Sequence, residues 1–313
     1  MTTALEQGLI YAIVALGVYL TFRILDFPDL TVDGSFTLGA AVTAKMIIDG
    51  GSPILATAAG FGAGVIAGVV TGLLHTKGKI NGLLAGILTM IALYSVNLRV
   101  MGKSNLSLLR EDTLVSPLKD GGLLGTATSI MIFAALALII KVIIDWFLHT
   151  DLGLAVQATG DNEQMIRSFG VNTDNTKILT LALSNGLVAL CGGLIAQYQG
   201  YADSGMGIGL ILVGLASVIL GQAIFGSRHI FVSTLAVILG SVLYRVVIYF
   251  ALDIGFNPND MKLITAVIVV IALLVPQWRR GRIRKPQRPG SSSPGIGTGS
   301  TPTHHRAAGQ EAR

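Results

Sequence analysis

The chain has 313 residues, 52% of them hydrophobic and only 12% charged, with a mean hydropathy of +0.70. Soluble domains carry about twice that share of charge, so an ordinary soluble enzyme is excluded and a polytopic membrane protein is indicated. The net charge of +5 resides in the tail: after Pro276 eight basic residues face Glu311 alone, a net of +7, leaving −2 for the 276 residues before it.

Apolar runs long enough to cross a bilayer, which takes about 17–25 residues, fall at 4–25, 53–74, 80–101, 122–148, 177–200, 206–225, 230–252 and 260–276. A weaker stretch, 30–48, starts with Asp33, Gly34 and Ser35 and reads as a broken or partly re-entrant helix that still crosses. The fold class is therefore all-α, a membrane bundle of nine crossings over residues 1–276. The first run has no basic residue before it and no cleavage site followed by a soluble domain, so it is expected to act as signal and anchor together. Asp33 is expected to cap its own helix; the other reading is a half-helix whose N-terminal amides meet an anionic group.

In the 53–74 run, Gly60, Gly64, Gly68 and Gly72 fall four apart and share one face, where another backbone can come close. Packing within the subunit is preferred to a subunit interface. Asn97 and Arg99 lie near the outer end of the 80–101 run, one turn from Tyr94, with Arg99 snorkelling to the interface. Lys141 and Asp145 read as an intrahelical pair. The one cysteine, Cys191, sits in an apolar run and excludes a disulfide framework or zinc cluster. Asn185, on the small-residue face of the 177–200 run, either bonds to a neighbouring helix or lines a pore. Arg245 stands deepest in its span and is expected to pair with an acidic group across the bundle rather than with a substrate carboxylate. Asp33, Ser35, Asn97, Asn185 and Arg245 are the pathway candidates.

Residues 277–313 form a basic tail, and the Pro-, Gly- and Ser-rich stretch from 286 is too poor in large apolar side chains to offset its ordering entropy; disorder is expected. A basic cluster beside a membrane marks the cytoplasmic face and meets anionic lipid, whereas nucleic-acid binding would need a basic face on a folded domain, and none is visible. With the tail inside, the inner loops hold Arg23, Lys77, Lys79, Arg167, Lys177 and Arg228. The outer ones hold Lys103, Arg110 and Lys119, diluted by Glu111, Asp112 and Asp120. The N-terminus is then outside.

The inner loop 152–176 is the informative one. Asp161 or Asn162 can cap a short helix with Glu163 in its first turn, running through Arg167 to Phe169, and Gly170 supplies a left-handed stop. Met165, Ile166 and Phe169 make an apolar edge on a helix outside the membrane, which suits docking into a groove of another protein. The segment from Gly160 and Asn162 through Gly170-Val171-Asn172 and Lys177 to Cys191-Gly192-Gly193 resembles the coupling segment of permease subunits in ATP-binding-cassette importers. The superfamily is that of branched-chain amino-acid, simple-sugar and nucleoside permeases, and the likeness is greatest to the amino-acid-type members. Residues 28–40 are similar to that family's first broken element. The resemblance implies a pore of two permease subunits, here a homodimer, with ATPase subunits beneath it and an extracytoplasmic binding protein delivering an amino acid. The setting it implies is a bacterial inner membrane. Asp161, Asn162, Glu163, Arg167, Phe169 and Gly170 would make the coupling contacts. ATP and magnesium would belong to the partner, since no GxxxxGK[ST] string occurs in this chain.

Two rivals stand beside this reading. A transporter or channel driven by an ion gradient usually shows buried carboxylates, and the central runs hold almost none. A membrane-embedded enzyme would need convergent His, Asp, Glu or Lys groups near one face, and the five histidines are scattered, with no metal-ligand spacing.

Overall fold

The computed structural model describes residues 1–226, 229–255, 263–267 and 270. The helices are α1 (Thr2–Val18, continued by a π-helical turn Tyr19–Ile24), α2 (Thr31–Ile48), α3 (Pro53–Thr76), α4 (Gly82–Met101), α5 (Ser116–Asp120) and α6 (Ala127–Leu148). There follow α7 (Asp151–Asp161), α8 (Glu163–Ser168), α9 (Thr173–Gln199), α10 (Leu210–Phe225) and α11 (Ile230–Asp253). Two three-residue strands, β1 (Asn105–Ser107) and β2 (Tyr201–Asp203), pair antiparallel with Leu106 opposite Ala202 and hold the rim opposite α8 together.

Six helices among the described residues are long and apolar enough to cross a bilayer: α1 with its π turn, α3, α4, α6, α9 and α11. The expected nine crossings are not reached on that criterion. Helix α10 is apolar but shorter, with 16 residues. The expected ninth span, 260–276, falls largely outside the described residues, as do Arg228 and the tail 277–313. Helix α2 runs unbroken for 18 residues, and the interruption expected inside it lies ahead of it, between Leu25 and Leu30.

Helices α1 and α9 form the centre, 78% and 72% buried over their spans, whereas α4 is 28% buried and presents most of its surface outward. Glycine sets the spacing. A Cβ at Gly64 or Gly68 would overlap Asn185 O or Leu181 O of α9, and at Gly72 it would lie 2.9 Å from Ile178 Cα. Gly60 faces α2 instead, where a Cβ would lie 2.6 Å from Thr43 Oγ1. Gly39 of α2 and Gly192 of α9 close the third side: a Cβ at either would overlap a carbonyl of the other helix. In lipid, where apolar surface gains nothing by leaving the solvent, such close approach supplies dispersion energy and interhelical hydrogen bonding.

Most buried polar side chains are bonded to one another. Asp29, Ser35 and Asn185 are all 2% exposed or less and form one chain: Ser35 Oγ donates to Asn185 Oδ1 (2.7 Å), and Asn185 Nδ2 donates to Asp29 Oδ2 (2.6 Å). Asp29 Oδ1 accepts from Thr31 N (2.9 Å), so Asp29 rather than Asp33 opens α2. Glu6, which sequence reasoning passed over at the margin of the first run, is fully buried; it accepts from Gly125 N (2.8 Å), the Tyr198 hydroxyl (2.8 Å) and Ser129. Lys141 and Asp145 do pair within α6, and Thr234 of α11 donates to the same carboxylate (2.7 Å). Arg245 meets no acidic side chain among the described residues: its guanidinium carbon lies 3.8 Å from the Tyr11 ring centroid, and Nη1 is 3.5 Å from Gln7 Oε1.

The glycine face is open to a direct test. Gly68→Ala should lower the unfolding midpoint in detergent, by about 1–3 kcal/mol of overpacking. Gly62→Ala, on the same helix with nothing within 4 Å of the added carbon, should leave it unchanged or raise it slightly.

Candidate functional site

Three short caps shape the segment between α6 and α9. Thr150 Oγ1 accepts from Gly153 N (3.3 Å) and starts α7; Asn162 Oδ1 accepts from Met165 N (3.0 Å) and starts α8; Asn172 Oδ1 accepts from Asp174 N (3.1 Å) and starts α9. Of the two cap candidates, Asn162 is the cap, and Asp161 is the last residue of α7. The stretch 151–161, expected to be loop, is helical because its glycines are seats: a Cβ at Gly153 would overlap Phe147 O, and one at Gly160 would overlap Ile24 O. Gly170 stops α8 at φ +86°, with Gly170 N bonded to Arg167 O (3.0 Å) and Val171 N to Ile166 O (3.4 Å). This paired geometry satisfies two of the orphan carbonyls at the helix end.

Ion pairs then fasten α8 to the first turn of α9. Glu163 meets Lys177 Nζ at 2.8 Å and Arg167 Nη2 at 3.2 Å, and Arg167 Nη2 meets Asp174 Oδ1 at 2.9 Å. Thr173 Oγ1 sits between them, accepting from Arg167 Nε (2.6 Å) and donating to Glu163 Oε1 (3.2 Å). Single exposed pairs contribute about 0.2–1 kcal/mol; the shared network fixes the orientation of a six-residue helix that has little stability of its own. The Lys177 ammonium, hydrogen-bonded to Glu163, holds that carboxyl below the usual carboxylate range despite some desolvation. Glu163 and Arg167 thus spend their charges internally. The apolar part of the outward surface is Met165 (48% exposed) and Phe169 (75% exposed), with Ile166 half-buried beneath and Gln164, Arg167 and Ser168 exposed beside them. Beside it a polar groove of about 360 Å³ runs between Asp161–Glu163, the loop 25–28 and the start of α4 at Asn81–Leu83.

The pathway candidates separate into three places. Ser35 and Asn185 are inside the sealed chain with Asp29 described above, and Arg245 lies against Tyr11. Asp33 and Asn97 come together. Asp33 caps a helix other than its own: Oδ2 accepts from Gly209 N (2.7 Å) and Oδ1 from Ile211 N (2.9 Å) at the start of α10. The chain reaches that point by folding back from β2, with Gly207 N bonded to Thr37 Oγ1 (3.1 Å). Asn97, 1% exposed, donates from Nδ2 to Gly34 O (3.3 Å), while its Oδ1 has no partner. Asp33, Thr37, Asn97 and Ser204 line a half-open cavity of about 320 Å³ whose other walls include Met90, Ile91, Tyr94 and Ile208. Sequence reasoning missed this juxtaposition, for nothing local joins position 33 to 97 or 209. No cluster of three or more His, Cys, Asp or Glu among the described residues is placed to hold a metal ion.

Residues 1–274 match the protein family described as branched-chain amino acid transport system, permease component. The chain is 45% identical over 271 residues to a tyrosine transport system permease protein of Clostridioides difficile, covering 87% of this chain and 89% of that one. It is 28% identical to a ribose import permease protein of Escherichia coli, covering 87% and 83%. Among solved structures, PsaBC from Streptococcus pneumoniae, in complex with a Fab, shares the fold with a TM-score of 0.52 at 15% identity, covering 90% of this chain and 93% of that one.

Because the Glu163 carboxyl is depressed, its contribution is in place above the ordinary value of about 4.3 and is lost as pH falls through the lower native value. Hydrogen exchange of residues 163–176, corrected for intrinsic rates, should therefore speed up below pH about 4. Glu163→Gln should show the faster exchange already at neutral pH and little further change on acidification.

Proposed function

The chain belongs to the family of branched-chain amino acid transport system permease components. From that premise we propose that it is the pore subunit of an ATP-binding-cassette importer for an amino acid, itself without catalytic activity. The observation that carries this reading is α8: a capped helix with an exposed apolar edge, bolted by ion pairs to a long central helix. An ATPase subunit takes Met165 and Phe169 into a groove, and ATP-driven closure of the ATPase pair moves α8 and the helix it is fixed to. ATP and magnesium stay with that partner. An extracytoplasmic binding protein delivers solute to the opposite rim, where β1 pairs with β2. A second copy of this chain completes the pore.

The positive-inside rule supports a bacterial inner-membrane orientation with the α8 rim and the C-terminus cytoplasmic and the N-terminus outside. Arg23, Lys77, Lys79, Arg167 and Lys177 share the α8 rim, whereas Lys103, Arg110 and Lys119 on the other are offset by Glu111, Asp112 and Asp120. An amino acid is favoured over a sugar or nucleoside because the 45% identical relative is named for tyrosine transport and the ribose permease stands at 28%. The buried carboxylates Glu6, Asp29 and Asp145 and the half-buried Asp33 are what an ion-driven transporter would need, but each already accepts hydrogen bonds within the bundle. That weighs against the gradient-driven reading.

The test is uptake into liposomes holding the permease with its ATPase and binding protein. Phe169→Ala, 75% exposed, should leave folding intact yet weaken ATPase association about tenfold or more, as loss of an aromatic anchor does. Gly170→Val, forced to φ +86°, should uncouple hydrolysis from uptake. Uptake without any ATPase would overturn the proposal, as would full coupling in both variants.

A further inference from the structure

We propose that the cavity between α2, α4 and the returning segment 204–209 is a station for the ammonium group of the permeant amino acid, with Asn97 and Asp33 as its acceptors. This rests on the amino-acid permease reading above and assigns that reading a place in the chain.

Three observations meet there. First, Asn97 is 1% exposed and already uses Nδ2 on Gly34 O, which fixes the amide orientation and leaves Oδ1 an unmade acceptor. A buried acceptor without a partner is costly, and a ligand donor relieves it. Second, the two Asp33 oxygens each accept one backbone amide, at 2.7 and 2.9 Å, while an ionised carboxylate offers about four acceptor positions. Among the described residues no Lys, Arg or His forms an ion pair with Asp33; the recorded pairs all involve Asp49, Asp145, Glu163 or Asp174. Third, Asp33 and Asn97 both line one space of about 320 Å³, of the size that holds a small solute, and Asn97 Oδ1 is buried at its wall.

The chemistry selects the ligand class. One unpaired amide oxygen beside a carboxylate with lone pairs to spare calls for a donor that carries positive charge, which a sugar lacks and an α-amino group has. Ser204 and Tyr94, both hydroxyl-bearing, line the same space and suit the carboxylate end. Met90, Ile91 and Ile208 give apolar walls for a side chain, so an amino acid with an aromatic or large aliphatic side chain fits better than a small polar one. Asp33 also caps α10, so ligand bound at its free lone pairs touches the residue that holds the start of that helix.

The experiment measures binding of radiolabelled L-tyrosine, and of its des-amino analogue as competitor, to the permease–ATPase complex in nanodiscs without the binding protein. The wild-type complex should bind L-tyrosine at least about tenfold more tightly than the analogue, the effect of one hydrogen bond to a charged group. Asn97→Leu should lose about tenfold in L-tyrosine affinity together with that discrimination. Should the leucine variant fail to assemble with the ATPase, Ile208→Trp, which fills the cavity and leaves both acceptors in place, should abolish binding. Wild-type affinity in either Asn97→Leu or Ile208→Trp would overturn the station, as would equal binding of the two ligands by the wild type. The parent reading fails separately: a complete transporter that takes up ribose and no amino acid overturns it, whereas normal amino-acid uptake without amine discrimination overturns the station alone.

Discussion

The contact of α9 with α2 and α3 is the constraint from which the other features follow. Gly64, Gly68 and Gly72 on one side and Gly39 and Gly192 on the other bring the three backbones so near that a single added carbon has no room. In hydrocarbon this proximity is the source of association. It also removes water from the polar groups trapped between the helices, which must then satisfy one another. Ser35, Asn185, Asp29 and Thr31 do so in sequence, tying the loop before α2 to the middle of α9.

The same unit presents two surfaces. At its rim end α9 carries Thr173, Asp174 and Lys177, and through them α8 with its apolar edge. On its α2 side, Asp33 and Thr37 reach across to the chain that starts α10 and line the cavity with Asn97. Ser35, in the same turn as Asp33, is bonded to Asn185 of α9. The lever is fixed to α9, and α9 packs against α2, which forms one wall of the cavity, so a displacement of α8 reaches the cavity through these two helices.

What could be read from sequence follows the range of each interaction. The bundle class, six of the spans and the short helix with Asn162 at one end and Gly170 at the other depend on hydropathy or on residues within four positions, and they were legible. Helix α7 was not, because Gly153 and Gly160 look like loop residues until Phe147 and Ile24 are seen pressed against them. Capping rules look no further than the adjoining helix, so Asp33 was assigned to α2 although its partners, Gly209 and Ile211, stand 176 and 178 positions away. Arg245 was expected to seek a carboxylate and found the face of Tyr11. Glu6 was hidden by its place at the edge of an apolar run, where a charge normally reaches water.

Everything functional in this account requires α8 to face the cytoplasm and to be covered by another protein. The native cysteine is fully buried, its thiol donating to Ile10 O at 3.2 Å, so a thiol placed on α8 would report alone. With Met165→Cys, a membrane-impermeant maleimide should label inverted vesicles and not right-side-out ones, and added ATPase subunit should block the reaction. Labelling from the exterior, or labelling indifferent to saturating ATPase, would contradict the account.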